Sequence, residues 1–274
     1  MPPELLTLRD FLRWAVSRFN AAGLVYGHGT TNALDEAAFM VLEGLHLPID
    51  RLEPFLDARL LADERQRLAD LIEARVTTRK PAAYLLGKAY IKGIPFHVDE
   101  RVIVPRSFIG ELLFSELFDG QSQMLIHDPA EIGSVLDLCT GSASLAVCAA
   151  HVFPHATIDA VDLSPDALEV AKRNVEESAL ADRLTLFHGD LFAPPEYLAE
   201  PRMALASGED GLDITRRILR EAGAHLTGTG GLLCETGTGR EILEAEFPHL
   251  PFMWLDTEES AGEVFWLSAE ALQG

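Results

Sequence analysis

A chain of 274 residues with 48% hydrophobic content can bury the core of one large domain or two modest ones. Its formal net charge of −21, with no basic stripe to offset it, argues against direct nucleic-acid binding; such charge suits a basic protein partner or serves solubility alone. No apolar run reaches membrane-spanning length and the start, MPPELLTLRD, has no basic-then-apolar leader, so no membrane role and a cytoplasmic location are expected.

Residues 1–77 read as a helical domain. Leu8, Leu12, Ala15 and Phe19 share one face at helical spacing, and Leu34–Leu47 and Leu61–Val76 give two more helices, the last aligning Leu68, Ile72 and Val76. Between them Gly27–Asn32 is a loop, and His28 within it is taken as a solvated loop histidine. The pattern changes near Pro81. Residues 78–106 contain two β-rich runs, Ala89–Ile91 and Phe96–Val98, about Lys92-Gly93, which reads as a connecting β-hairpin. A helix is expected over Phe108–Phe118, opening a third region, 107–274.

That region is organised by Ser134–Asp162. Val135–Leu138 is a short apolar run, as a strand buried on both faces would be. Thr140-Gly141-Ser142 is a turn cluster, Leu145–Val152 an apolar helix, and Ile158–Val161 a second strand ending at Asp162. Such a βαβ unit binds a nucleoside: the small turn admits ligand to the backbone, the helix N-terminus is partly positive, and the acid accepts from ribose hydroxyls. An ordinary α/β turn without ligand is the alternative. A dinucleotide fingerprint fails, because its glycine positions read Cys139, Gly141 and Ser144.

Regular signals continue. Ser164 and Pro165 start a helix that buries Leu168, Ala171 and Val175. Leu184–Phe187 is a third strand, ending in His188-Gly189-Asp190. Leu212–Leu226 reads as a helix, Gly231–Glu235 as a strand, and Phe252–Leu255 and Val264–Leu267 as closing strands. The fold class is therefore α/β: a doubly wound, Rossmann-like sheet with an N-terminal helical domain and a connecting hairpin. The cysteines, Cys139, Cys148 and Cys234, lack C-x-x-C spacing and fit a reducing compartment, and no metal site is expected.

The sequence D-x-C-T-G from Asp137 resembles motif I of the S-adenosylmethionine-dependent methyltransferases. More specifically, PAAYLLG, a hairpin, VPRS, a helix with Glu111, VLDLCTG and AVDLSPDAL follow one another as in the glutamine methyltransferases that modify translation proteins. VDERVIVPRS with LDLCTG looks most like the branch acting on a large-subunit ribosomal protein. The resemblance covers nearly the whole chain. It implies methyl transfer from S-adenosyl-L-methionine to a glutamine amide nitrogen, in a domain over 107–274 with 1–77 recognising substrate.

By the same resemblance, Cys139, Thr140, Gly141 and Ser142 would line the methionine and ribose end of the cofactor, with Asp137 near its ammonium. Asp162 would take the ribose hydroxyls, Asp190 the adenine amino group, and Leu191 the ring face. Arg106 and Glu235 are candidate substrate contacts, each with a structural alternative: Arg106 pairing with Glu111, and Glu235 merely ending a strand.

Two departures stand out. Ala143 occupies a place where the family usually has Gly, so its methyl is tolerated or crowds the cofactor. The family's N-P-P-Y strand and loop, whose asparagine oxygen and proline carbonyl hold the acceptor amide, is missing near Ala193 and Pro194, so no catalytic residue can be named. Either residues are absent from this chain or the deletion is genuine and leaves a non-catalytic, cofactor-binding, ribosome-associated protein. A nucleic-acid adenine methyltransferase is disfavoured by the charge, and a dehydrogenase by the failed fingerprint. Two sheet arrangements follow: a further strand beside Val135–Leu138, or direct pairing of that strand with Leu232–Cys234.

Overall fold

The computed structural model describes residues 4–27, 29–120, 125–192, 210–257 and 260–274, and the chain divides into two compact units after Arg106. His28 lies outside the described residues.

In the first unit α1 (Leu8–Ala21), α2 (Ala33–Gly44) and α3 (Ala62–Thr78) close on a core that includes Leu8, Phe11, Phe19, Met40, Leu68 and Ile72. Thr7 starts α1: its hydroxyl accepts the Asp10 N–H, and the Asp10 carboxylate accepts the Thr7 N–H. Phe11 is fully buried while Leu12 only packs against the core, because positions 8, 11, 15 and 19 form the straighter stripe at 3.6 residues per turn. Asn32 caps α2, which stops at Gly44, short of Leu47; His46 turns left-handed there, at φ 58°. The Glu36 carboxylate on α2 accepts from Arg75 Nε on α3 at 2.7 Å, and both side chains are 3% exposed. Arg75 also donates to the carbonyls of Arg79 and Val25, so one guanidinium ties two helices and a loop.

PAAYLLG folds as a short helix, α4 (Ala82–Leu86), begun after Pro81 and ended by Gly87 at φ +67°. The hairpin follows: β1 (Lys88–Ile91) pairs antiparallel with β2 (Ile94–His97). Its two turn residues, Lys92 (φ 47°) and Gly93 (φ 82°), both have positive φ, which gives the twist that two-residue hairpins need.

The second unit begins with α5 (Phe108–Leu113), shorter than the expected run to Phe118. Phe118 instead packs edge-on against Phe153 and Trp266, with ring centres 6.1 Å away in each case. Then come β3 (Ser134–Leu138), α6 (Ser144–Val152), β4 (Thr157–Asp162), α7 (Pro165–Glu177) and β5 (Leu184–His188). These strands form a parallel sheet in the order β3-β4-β5. Ser164 caps α7, which buries Ala167, Val170, Ala171 and Val175; Leu168 is only half-buried. The rest is α8 (Asp213–Glu221), β6 (Gly231–Glu235), α9 (Arg240–Glu246), β7 (Met253–Asp256), β8 (Ala261–Ser268) and α10 (Ala269–Gln273). Here β6, β8 and β7 form an antiparallel sheet, in that order.

The fold is the α/β architecture that the sequence implies, with two differences. First, among the described residues the strands form two sheets of three, no strand lies between β3 and β6, and β3 does not pair with β6. Second, β3 is not buried on both faces. Ile158 and Ala160, on the face covered by α6 and α7, are fully buried, whereas on the other face Leu136 is 43% and Phe187 42% exposed. The expected join at Ala193–Pro194 lies outside the described residues.

Candidate active site

The site forms where β3 and β4 end side by side. Cys139, Gly141 and Ala143 all take left-handed backbone, with φ of 60°, 56° and 60°, so the chain coils tightly between β3 and α6. For Cys139 and Ala143 this conformation carries a steric cost of roughly 1–2 kcal/mol each, and tertiary bonds hold it. The Thr140 N–H donates to Val161 O at 3.0 Å, and Ala143 N–H to Thr140 O at 2.9 Å. Asn174, buried on α7, donates its side-chain amide to Ser142 O at 2.9 Å. The Ala143 methyl is fully buried within the fold, so it does not crowd the open side of the turn.

Asp162, at the end of β4, accepts the Gly141 N–H on Oδ2 and the Ser164 N–H on Oδ1, both at 2.8 Å. Asp137, at the end of β3, accepts from Thr140 Oγ at 2.5 Å and from the Ala146 N–H in the first turn of α6. Burial dominates its environment and, with Asp162 nearby, pushes its carboxyl up to about 6 in spite of those bonds. Thr140 and Ser142 are buried inside the turn, whereas Cys139 is open to solvent. Desolvation of the sulfur, then Asp162, Asp137 and Asp190, push the Cys139 thiol up to about 11, which favours its neutral form.

Asp190 follows β5 and is paired with Arg217 of α8 at 2.9 Å. Leu191 beside it is left-handed, at φ 56°, and 7% exposed. Sequence reading did not anticipate Arg217 or Asn174; the only signal was a polar residue within the buried stripe of α7. Glu235, at the end of β6, accepts from Ser107 Oγ at 2.5 Å and from the Phe108 N–H at 3.1 Å. Arg106 belongs to the first unit, where it donates to Gly27 O at 2.5 Å. The structure thus gathers Asp137, Cys139, Thr140, Gly141, Ser142 and Asp162 into one turn and sets Asp190 among the charges that reach Cys139. A hollow of about 210 Å³ opens on the uncovered sheet face and reaches the site at Leu191, which lines it together with Leu136, Asp159, Phe187, His188 and His225.

Three carboxylates, one guanidinium and exposed backbone suit a ligand carrying ribose hydroxyls and net positive charge. S-adenosylmethionine is such a ligand. A family model described as "Methyltransferase small domain" matches residues 113–247. Fold and site together define an S-adenosylmethionine-dependent methyltransferase. The ribosomal protein uL3 glutamine methyltransferase of Bradyrhizobium diazoefficiens is 54% identical, over 98% of this chain and 92% of the relative. Those of Bordetella pertussis and Burkholderia pseudomallei are 50% and 48% identical, over 98% and 99% of this chain and 97% of each relative. The chain belongs to the family of ribosomal protein uL3 glutamine methyltransferases. The first alignment runs over 295 positions, more than the 274 residues here, so at least 21 positions of that relative face no residue of this chain.

Proposed function

We propose that this protein transfers a methyl group to the side-chain amide nitrogen of a glutamine in ribosomal protein uL3. The observation that carries the reading is the 54% identity to a uL3 glutamine methyltransferase over 98% of the chain. When bound, S-adenosylmethionine supplies a methyl group on a sulfonium leaving group. Asp162 accepts from the ribose hydroxyls, already oriented by Gly141 and Ser164. Asp190, fixed by Arg217, takes the adenine amino group, and Leu191 lies against the ring. Cys139, Gly141 and the backbone of Thr140 and Ser142 border the methionine end, and Asp137 supplies negative charge towards its ammonium. Because an amide nitrogen shares its lone pair with the carbonyl, positioning and fixed dipoles must supply most of the acceleration.

The first unit recognises substrate in this reading, with 78–106 connecting it to the methyltransferase domain over 107–274. The acidic chain suits a basic partner, and ribosomal proteins are made and modified in the cytoplasm, where we place this protein. Direct nucleic-acid contact is no part of the reading. The test is incubation of purified uL3 with the protein and isotope-labelled S-adenosylmethionine, followed by peptide mass spectrometry. One added methyl on a single glutamine is expected. Absence of that methyl, with the Bradyrhizobium relative active in parallel, overturns the proposal.

A further inference from the structure

We propose that Asn174, on the buried side of α7, is a positioning residue for the cofactor. It holds the peptide between Ser142 and Ala143 in the orientation that the ligand-binding turn needs. The inference rests on the reading that S-adenosylmethionine binds at this turn.

Most ties within the turn run from backbone to backbone. The Thr140 N–H donates to Val161 O at 3.0 Å, the Ala143 N–H to Thr140 O at 2.9 Å, and the Val147 N–H to Ala143 O at 3.0 Å. Two side chains add to them. Asp162 accepts the Gly141 N–H at 2.8 Å and is itself a candidate ligand contact. Asn174 is different: it is 1% exposed, so it can act on a ligand only through the turn. Its side-chain amide donates to Ser142 O at 2.9 Å. The other buried residues of α7 are Ala167, Val170, Ala171 and Val175. An apolar side chain would suit that stripe without the cost of burying an amide. What the amide adds is the bond to Ser142 O.

That bond fixes more than one atom. A peptide group is planar, so the Ser142 C=O and the Ala143 N–H turn together. Asn174 holds one end of this plane, and Thr140 O holds the other. Turning the plane over changes ψ of Ser142 and φ of Ala143 by about half a turn. Ala143 stands at φ 60°, left-handed, which is unfavourable for a residue with a Cβ. The turned-over peptide brings that angle into the ordinary negative range. Loss of Asn174 also takes the side-chain donor from Ser142 O, a second push away from the observed orientation. The observed turn is thus the strained member of a pair, and Asn174 selects it. Gly141 has open space where a Cβ would stand, so a ligand can approach the backbone there. Turning over the neighbouring plane reshapes the backbone that the ligand meets.

The test is calorimetric titration of the full 274-residue chain with S-adenosylmethionine, without uL3, beside denaturant titrations of each variant. Asn174→Leu is expected to leave the competent turn in about one molecule in ten, which raises the dissociation constant about tenfold. Val175→Ala also leaves a cavity under α7 and lowers stability, yet should bind as the parent does. Adding Ala143→Gly to Asn174→Leu removes the left-handed penalty. That double variant should bind within about threefold of Ala143→Gly alone. If Asn174→Leu does not fold, Asn174→Ala is read in its place. Unchanged affinity in the Asn174 variant overturns the proposal, as does equal weakening by Val175→Ala, which would tie affinity to stability alone. A full tenfold loss in the Ala143→Gly background overturns it too, because Asn174 would then not be holding the left-handed residue. No binding by the parent chain would overturn the cofactor reading and this proposal with it.

Discussion

The Asp162 carboxylate accepts the Gly141 N–H at 2.8 Å, so the acid that ends β4 also closes the turn after β3. Its other oxygen accepts the Ser164 N–H at the start of α7. The lone pairs left over on both oxygens point from a fixed position, and a ribose can meet acceptors that need no rearrangement.

Asp162 therefore carries two loads, which affinity and stability measurements read separately. Asp162→Ala removes the ribose acceptors and is expected to weaken S-adenosylmethionine binding by about 1.5–3 kcal/mol. It also orphans two backbone N–H groups, at a folding cost of about 1–3 kcal/mol. Asp162→Asn keeps one oxygen and should fall between parent and alanine in both respects. Calorimetric titration and thermal melts check this, and unchanged affinity in the alanine variant would show that the ribose lies elsewhere.

Asp137 gives a pH signature. Burial raises its carboxyl to about 6 in the folded chain, against about 3.9 when unfolded. Between those values the folded state holds more protons than the unfolded one, so this group's contribution falls as pH rises from about 4 to 6 and is level above that. Asp137→Asn lacks the effect, and the stability of the parent relative to that variant should decline across the same interval in denaturant titrations. Cofactor binding runs the other way. A cation favours the ionised carboxylate, so parental affinity should drop as pH falls below about 6. A stability difference independent of pH would refute the assignment.

The buried Glu36–Arg75 pair makes the first unit sensitive to single substitutions. Arg75→Met leaves a carboxylate in the core without its partner and is expected to cost about 3–5 kcal/mol. Adding Glu36→Leu should recover much of that loss, because two matched apolar groups replace two matched charges. Recovery will be incomplete, since the carbonyls of Val25 and Arg79 also lose their donor. Chemical denaturation of the three variants decides it: a single-variant cost under 1 kcal/mol would place the pair with the weak surface bridges.

What the sequence revealed was what local chemistry determines. Ser164-Pro165 marked the start of α7, Lys92-Gly93 marked the hairpin turn, and the apolar run to Asp162 marked β4 and its acid. The turn from Asp137 to Ser142 was legible because its small and acidic residues adjoin in sequence. Short elements escaped. α4 is five residues and α9 seven, too few for an apolar period to show. Long-range partners escaped for a different reason: nothing near Asp190 announces Arg217, 27 positions away. The missing N-P-P-Y motif was visible in the sequence, but the exposure of Leu136 and Phe187 follows from which face the described helices leave uncovered.

The last prediction concerns Glu235, a residue with both a structural and a substrate role open to it. Its Oε2 accepts from Ser107 Oγ and the Phe108 N–H, while Ser107 Oγ in turn accepts the Ile109 N–H, so carboxylate and hydroxyl together cap α5. Each bond to the carboxylate is part-buried and charge-assisted, at about 1.5–3 kcal/mol before allowing for partial exposure, and negative charge suits a helix N-terminus. Glu235→Ala should therefore destabilise the second unit by about 2–3 kcal/mol. Ser107→Ala should cost less, about 1–2 kcal/mol, because the Phe108 bond survives. Two residues that share a bond must also couple, and the double variant should lose about 1 kcal/mol less than the two single losses combined. Denaturant titrations of parent, both singles and the double close that cycle. Zero coupling, with Glu235→Ala as stable as the parent, would mean that the cap does not need the carboxylate and that Glu235 is kept for the substrate.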